Sequence, residues 1–199
     1  MNLALSYSHI PCQKYIAGFR NFSMKRFMFK DGEIVLRPLE PLDIDDLLRW
    51  ENDVEVWKIS QTRAPYSKEL ITQYILSSQD IHVHGQIRFV IDWKGTSVGT
   101  IELFEYDPVN SRAGVGIMID GNYRNRGFGA LALGLIVNYC KEVLFLRQIF
   151  CTIILDNSIS VQLFESAGFL KTGIKKDWIR VAEGFQSAGF FQLILEHDQ

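Results

Sequence analysis

The segment from Ala113 to Ala130 constrains the fold of this 199-residue chain more than any other. An apolar strand-like run is followed by an Arg-x-x-Gly-x-Gly loop and then by an apolar run with helical spacing. Gly127 and Gly129 carry no side chain, so the backbone can approach an anion closely there. The first N–H groups of the next helix lack intrahelical acceptors, and Arg124 and Arg126 add positive charge. The segment predicts a strand, a pyrophosphate-binding loop and a helix that starts near Gly127.

Two other interpretations of these glycines stay open at this point. A glycine-rich turn can also be a simple connection between a strand and a core helix, without any ligand. In addition, Gly127, Gly129 and Ala132 satisfy a dinucleotide-binding fingerprint, with Asp156 after the next strand as the ribose-binding acid. Against that fingerprint, residues 120–126 separate the strand from the glycines, and the flanking chain does not alternate strands with helices.

Composition favours one compact domain. Hydrophobic residues make up 47% of the chain and charged residues 22%, which allows a sizeable core. A clear pattern of helices and strands begins only after Met24, so we predict an N-terminal extension over residues 1–23 and a single domain over residues 24–199. The extension is a disordered arm, an added strand or a product of the assigned start.

Charge and cysteine content narrow the function classes. A net charge of −2 offers no basic field for nucleic acid or anionic membranes. The chain shows neither a secretory leader nor an apolar stretch of membrane-spanning length, so we predict a soluble, cytoplasmic protein. Cys12, Cys140 and Cys151 show no C-x-x-C spacing and are predicted to be free thiols, the last two buried. His82 and His84 are predicted to lie in a loop as surface residues, so no metal site is expected.

The order of elements predicts an α+β fold. Residues 33–38 form a first strand, and two helices follow over residues 41–51, with Asp43 as N-cap, and 67–78, capped by Ser67. Two hairpins are predicted, and one helical crossover joins the strands between them. Such a sheet is mixed and mostly antiparallel rather than doubly wound. The hairpin strands cover residues 86–92 with 97–106, and 169–182 with 185–195.

The chain resembles the GNAT superfamily of acyl-coenzyme A dependent N-acetyltransferases. The resemblance is carried by the strand, the Arg-x-x-Gly-x-Gly loop, the helix, the next strand, Asn157 and the Gly168-Phe169 pair. Residues 48–57 and 98–103 are most similar to the branch that holds the spermidine acetyltransferases and the acetyltransferases of ribosomal-protein N-termini. The resemblance implies a sheet of about six to seven strands flanked by about four helices, with acetyl-CoA as cosubstrate.

The resemblance also implies where the coenzyme binds. In this superfamily the strand before the pyrophosphate loop bulges and splays from its neighbour, and its backbone holds the pantetheine arm. Asn157 matches the asparagine that contacts the same arm, although an N-cap role for the following helix explains it as well. Phe164 is expected beside the departing sulfur. The complete set implied for coenzyme binding is Ile117, Met118, Ile119, Arg124, Asn125, Arg126, Gly127, Phe128, Gly129, Ala130, Asn157 and Phe164.

Catalysis of acetyl transfer needs a neutral amine, a polarised carbonyl and a proton for the thiolate. Glu102 is the candidate general base, because related proteins often place a carboxylate on this strand. A solvated strand glutamate is the alternative. Many relatives carry a tyrosine where this chain has Phe164, which has no proton to give. Ser160 or water is then the candidate proton donor.

Acidic residues point to a cationic amine as the acceptor. Glu51, Asp53 and Glu55 lie in the segment that lines the substrate side of similar proteins, and Glu102, Glu105 and Asp107 are expected at the same opening. A solvated acidic face is the alternative. The predicted acceptor is accordingly a small-molecule or peptide amine, either polyamine-like or a protein N-terminus. Self-association into a homo-oligomer is also compatible with the sequence.

Three functions compete at this stage. The first is an N-acetyltransferase in which the amine attacks acetyl-CoA directly in a ternary complex. The second is a catalytically weak acyl-CoA binding or sensing module, which the absent tyrosine hydroxyl suggests. The third is the dinucleotide-binding protein.

Overall fold

The computed structural model describes residues 29–60, 64–77, 80–181 and 184–196, with the side chains of 58–60 left out of the description. The predicted extension 1–23 and Cys12 therefore lie outside the described residues. The strands are β1 (Lys30–Asp31), β2 (Ile34–Pro38), β3 (Ile87–Trp93), β4 (Thr96–Asp107), β5 (Arg112–Ile119), β6 (Gln148–Ile154), β7 (Leu170–Val181) and β8 (Gly184–Ile194). The helices are α1 (Ile44–Glu51), α2 (Val54–Ser60), α3 (Lys68–Ser77), α4 (Ile81–His84), α5 (Phe128–Glu142) and α6 (Ser158–Ser166).

The eight strands form one sheet in the order β1-β2-β3-β4-β5-β6-β8-β7. All neighbours are antiparallel except β5 and β6, which α5 joins as a crossover. The predicted α+β class, the hairpins and the single crossover are confirmed. The described residues hold one strand and two helices more than the upper bounds predicted, because the two-residue β1 and the short α2 and α4 carry too little periodicity to be recognised. This sheet is not doubly wound, which argues against the dinucleotide alternative.

Helices cover the two faces of the sheet unequally. On one face α5 buries Ala132, Leu133 and Ile136 against the apolar side of the central strands. On the other face α1 and α3 pack over one half of the sheet, where Leu47 and Ile71 meet Val90. The other half of this second face is left for a cleft, described below.

Local predictions for the first helices hold in part. Asp43 stands at the predicted N-cap position of α1, but its side chain does not cap the helix, because the buried carboxylate accepts hydrogen bonds from Arg37 and from the N–H of Glu40. His82 and His84 lie in the short helix α4 rather than in a loop, with the Asp80 side chain as its N-cap. Ser67, in contrast, accepts from the N–H of Leu70 as predicted.

Asp120 fixes α1 to the end of β5. Its carboxylate is 4% exposed and accepts hydrogen bonds from Trp50 Nε1 at 2.8 Å, Arg49 Nη1 at 2.6 Å and the N–H of Asn122 at 2.9 Å. Burial acts to raise the pKa of Asp120, but these donors outweigh it and hold the pKa below its ordinary value. The acceptor side of the cleft is thereby tied to the strand that precedes the glycine loop.

We predict that Asp120 contributes to acid unfolding. A carboxylate with a lowered pKa stabilises the fold fully above the unfolded-state value of about 3.9, and this stabilisation is lost as the pH falls through the folded-state value. Asp120→Asn should cost about 1–3 kcal/mol at neutral pH and less in acid. Urea unfolding between pH 7 and pH 3 measures this difference. An equal loss at both ends of that range would contradict the prediction.

Candidate functional site

The strands β5 and β6 separate along their length. They pair only at Arg112–Gln148, Ala113–Ile149 and Gly114–Phe150. Beyond Gly114 the edge of β5 that faces β6 runs without a partner strand up to Ile119. The predicted splay is present, while the register irregularity lies on the neighbouring strand β4, where Glu105 adopts a φ of 48°. Free backbone groups on a splayed strand can bind an extended ligand arm.

The glycine loop lies at the open end of this splay. Asn125 and Gly127 adopt left-handed φ values of 61° and 79°, and Gly127 is the N-cap of α5. The first hydrogen bond at this helix end runs from the N–H of Ala130 to the Gly127 carbonyl, so the preceding N–H groups are available to an anion. This arrangement gives α5 the predicted start and leaves N–H groups beside the splay that are free to donate to an anion.

The arginines of the loop have defined partners. Arg124 Nε donates to the Ile119 carbonyl at 3.1 Å, which fixes the loop to the end of β5. The Arg126 guanidinium lies over the rings of Tyr123 and Trp93, with its carbon 5.3 and 5.9 Å from their centroids. Phe128 is buried against Trp93 beneath them. Both cations are therefore held near the N-terminus of α5 by contacts within the fold.

Gly129 faces the far wall of the splay. A Cβ built at this position would lie 3.4 Å from Leu163 Cδ2 on α6 and 3.8 Å from Ile117 Cδ1 on β5. These are ordinary contact distances, so the protein itself leaves room for one methyl group and little more. The first turn of α5 thus lies beside Leu163 in the second half of α6 and beside Ile117 in the unpaired part of β5.

Asn157 caps α6 at the end of β6. Its Oδ1 accepts from the N–H of Ser160 at 3.2 Å, which shows the structural role directly. This bond uses only the oxygen, and the side-chain NH₂ group retains its donors. Asn157 and Ser160 both line the cleft. Because β5 and β6 are parallel, the glycine loop and Asn157 flank the same end of the splay.

Phe164 is buried at the border of the cleft. Its ring is 3% exposed and packs edge-on against Phe169, with centroids 5.0 Å apart, and the residue lines the cleft one turn after Ser160. Ser160 lies one turn earlier in α6, is only partly buried and carries the hydroxyl that Phe164 lacks.

We predict that Phe164→Tyr does not raise turnover appreciably. The added hydroxyl has to enter an apolar contact, where an unpartnered hydroxyl costs about 1–3 kcal/mol. A thiolate is also a good leaving group that needs little protonation. We expect turnover within about threefold of the unmodified protein and a slightly lower melting temperature. A rise in turnover of roughly tenfold or more would show that thiolate departure limits the rate and would support the weak-catalyst or sensor alternative.

A cleft of about 1120 Å³ opens along the splay and onto the half of the sheet face that α1 and α3 leave uncovered. It borders Ile117 and Met118 of β5, Asn157 and Ser160 near α6, and Glu51 at the end of α1. Ile119 is not in this lining, but its carbonyl binds Arg124. Residues 124–130 of the glycine loop also lie outside this lining. The cleft therefore joins the residues predicted to hold the pantetheine arm to the predicted acceptor side.

Glu102 lies in this cleft against β5. Gly116 is its cross-strand partner, and a Cβ at Gly116 would lie only 3.1 Å from Glu102 Oε1. The missing side chain at Gly116 lets the carboxylate lie against the strand that precedes the loop. Arg88 binds the other oxygen, Oε2, with Nε at 2.7 Å and Nη2 at 2.6 Å. Oε1 is the oxygen that remains available to a substrate proton.

Arg88 joins two of the predicted acidic residues. It pairs with Glu51 on α1 as well as with Glu102, and its guanidinium lies 5.2 Å from the Tyr74 ring centroid. Burial acts to lower the pKa of Arg88, but the carboxylates outweigh it and raise the pKa above its ordinary value. Sequence reasoning missed this residue, although a lone arginine within the apolar run from Ile87 to Ile91 was the available signal.

The other predicted acceptor residues divide into two groups. Glu105 and Asp107 line the cleft as expected, and Asp107 pairs with Arg112 at 3.1 Å. Asp53 and Glu55 are exposed and lie outside this lining. Asp53 Oδ1 accepts from the N–H of Glu55 just before α2, which gives both residues a place in the start of that helix.

The cysteines are not placed for covalent catalysis. Cys140 and Cys151 are free and buried, which confirms the prediction for these two, and burial raises the pKa of each thiol to about 12. Cys151 borders the cleft but is only 3% exposed. A neutral, buried thiol is a poor nucleophile, so neither cysteine is suited to carry an acyl group.

Two further findings concern metals and membranes. Within the described part of the chain, no group of three or more His, Cys, Asp or Glu side chains is arranged to hold a metal ion. Among the helices of the same residues, none combines the length and the apolar character needed to cross a membrane.

Comparison with known proteins gives a consistent result. Residues 33–170 match the family model described as an acetyltransferase (GNAT) domain. The spermidine N(1)-acetyltransferase of Escherichia coli K12 is 27% identical over 140 residues, which cover 70% of this chain and 74% of the relative. An uncharacterized N-acetyltransferase, p20, of Bacillus licheniformis is 28% identical over 148 residues, or 73% and 83% of the two chains.

Solved structures share the fold. The spermidine N-acetyltransferase of Vibrio cholerae in complex with CoA and spermine superposes with a TM-score of 0.76 at 21% identity, covering 82% of this chain and 96% of the other. A dodecameric structure of that enzyme gives 0.68 at 21% identity, with 82% and 95% covered. The predicted family, its spermidine acetyltransferase relatives and the predicted enzyme class, an acetyl-CoA dependent N-acetyltransferase, are confirmed. The chain belongs to the GNAT acetyltransferase family.

Proposed function

We propose that this protein moves an acetyl group from acetyl-CoA to a cationic primary amine by direct attack in a ternary complex. The observation that carries the proposal is the cleft itself, in which the splayed part of β5 and Asn157 meet a carboxylate-lined opening. The N-terminus of α5 follows directly after the splayed strand. Spermidine acetyltransferases among the relatives support an amine acceptor. Polyamines and peptide N-termini both fall within this class.

The coenzyme side is assigned to the splay and the glycine loop. The N–H groups before Ala130 bind the pyrophosphate, with Arg124 and Arg126 close to it, while the backbone of residues 117–119 and the Asn157 amide hold the pantetheine arm. This places the thioester near Gly116, next to Glu102. An N–H of β5 that faces the splay then polarises the thioester carbonyl as charge develops on its oxygen.

Glu102 acts as the general base. An amine arrives at the cleft as an ammonium ion and has to lose a proton before its lone pair can attack the thioester carbonyl. Oε1 accepts that proton directly or through water, and Arg88 holds Oε2 in place. The C–S bond breaks as the tetrahedral intermediate collapses. Ser160 or water then protonates the thiolate.

The test is an amine panel that follows release of the coenzyme A thiol. We expect steady turnover with at least one class of primary amine and none without an amine. Tight acetyl-CoA binding without turnover on any amine would favour the sensing alternative instead. The cytoplasmic location, the domain boundary at residue 24 and self-association stay predictions that this assay does not address.

A further inference from the structure

An aromatic row crosses the part of the cleft that lies beyond Glu102. Phe104 on β4, Phe150 on β6 and Phe190 on β8 follow one another, with ring centroids 6.2 and 5.4 Å apart. All three rings are partly exposed and line the cleft. The strand between the first two contributes Gly114, whose missing Cβ leaves the space that the Phe104 ring fills. This floor favours a ligand with an apolar or aromatic body.

Lys175 ends the aromatic row. Its ammonium lies 5.7 Å from the Phe190 ring centroid and 5.2 Å from that of Trp178, and it donates a long hydrogen bond of 3.4 Å to Thr152 Oγ1. In the part of the chain that the structure describes, no carboxylate lies within ion-pair distance of it. A cation that lines a substrate cleft without an acidic partner attracts an anionic group and repels a second ammonium.

The acidic end of the cleft is less negative than its carboxylates suggest. Glu51 and Glu102 share Arg88, and Asp107 pairs with Arg112. The lining holds four carboxylates and three cationic side chains, and Glu105 is exposed at the bulge of β4. With one more carboxylate than cations, the lining balances the charge of one ammonium group near Glu102. A polyamine brings several positive charges and would place one of them toward Lys175.

We propose that the preferred acceptor carries a single ammonium group, an apolar or aromatic body and an anionic group at its far end, as a short peptide does. The ammonium group lies at Glu102, the body covers the aromatic row and the carboxylate pairs with Lys175. This assignment rests on the proposed acetyl transfer and names the substrate class for the same site. Lys175 is then a specificity residue, because it touches substrate away from the reacting atoms.

Matched acceptors test each part of this assignment. The strand order puts Glu102 and Lys175 four strand positions apart, a gap that a tetrapeptide can span at about 3.3–3.6 Å per residue. The tetrapeptide Phe-Gly-Gly-Gly is compared with its C-terminal amide, which lacks only the negative charge, with Ala-Gly-Gly-Gly, which lacks the ring, and with spermidine. We expect kcat/KM to fall about fivefold for the amide, the effect of one partly exposed ion pair, and about thirtyfold for Ala-Gly-Gly-Gly. Spermidine should be the poorest of the four.

Variants at two lysines of β7 test whether Lys175 recognises the carboxylate of the acceptor. Lys175→Gln should bring Phe-Gly-Gly-Gly and its amide to equal kcat/KM, and Lys175→Arg should restore the difference. Lys176→Gln is the control, since Lys176 is exposed and does not line the cleft. Faster acetylation of spermidine than of both tetrapeptides, or an unchanged preference for the carboxylate in Lys175→Gln, would overturn this inference alone. Failure to acetylate every amine while acetyl-CoA still binds would overturn the proposed function with it.

Discussion

Gly129→Val is expected to weaken coenzyme A binding about 100-fold. The γ-methyl groups of valine exceed the space that Leu163 and Ile117 leave at this position, so they project toward the site assigned to the pyrophosphate. Hydrogen bonds to a charged group are worth about 1.5–3 kcal/mol each, and losing two of them from the start of α5 removes at least 3 kcal/mol. Isothermal titration with coenzyme A measures the change in affinity.

Gly134 provides a matched control on the same helix. It lies within α5 and is exposed, and a Cβ there would meet nothing within 4 Å. Gly134→Val therefore carries the same change in helix propensity without entering the splay. We expect its coenzyme A affinity to stay within about twofold of the unmodified protein. Equal coenzyme A affinities for the two variants, each with an intact melting transition, would show that the glycine loop does not bind the coenzyme.

Glu102→Gln is expected to lower kcat/KM by about 10²–10⁴-fold, the usual contribution of a general base. The substitution keeps the size of the side chain and removes its charge, so the carboxylate that faces Gly116 is lost while the packing against β5 stays similar. The ascending limb of the pH profile of kcat/KM should disappear or move. Acetyl-CoA affinity should not change, because the loop and the splay are untouched.

Two comparisons separate this effect from a loss of structure. Glu142→Gln, at the exposed end of α5, makes the same chemical change away from the cleft and should keep full activity. The melting temperature of Glu102→Gln reports the cost of disturbing the ion pair with Arg88. Unmodified turnover with the same pH profile would show that Glu102 serves only to fix Arg88.

The coenzyme side of the molecule follows from local sequence. The strand, loop and helix between Ala113 and Glu142 are contiguous, and glycine, arginine and apolar residues stand where backbone geometry requires them. The hairpins are equally local, since a turn such as Lys94-Gly95 fixes the pairing of β3 with β4. Propensity and spacing are sufficient for such elements.

The acceptor side could not be predicted in the same way. Arg88 and Glu102 are cross-strand partners in the β3–β4 hairpin, but Glu51 comes from α1, and the packing of that helix on the sheet brings it to Arg88. Asp43 carried the composition of a helix cap, but a buried contact with Arg37 determines its position. The aromatic row likewise joins three strands that are distant in sequence. Tertiary contacts of this kind leave no periodic signal.

The most direct test of direct transfer is product analysis by mass spectrometry. The protein is incubated with acetyl-CoA alone and then with acetyl-CoA and an accepted amine. We predict that the intact protein mass stays unchanged in the first incubation, and that the second yields acetylated amine and free coenzyme A in equal amounts. An acetylated protein that passes its acetyl group to an amine added later, or release of coenzyme A without acetylated amine, would contradict the account.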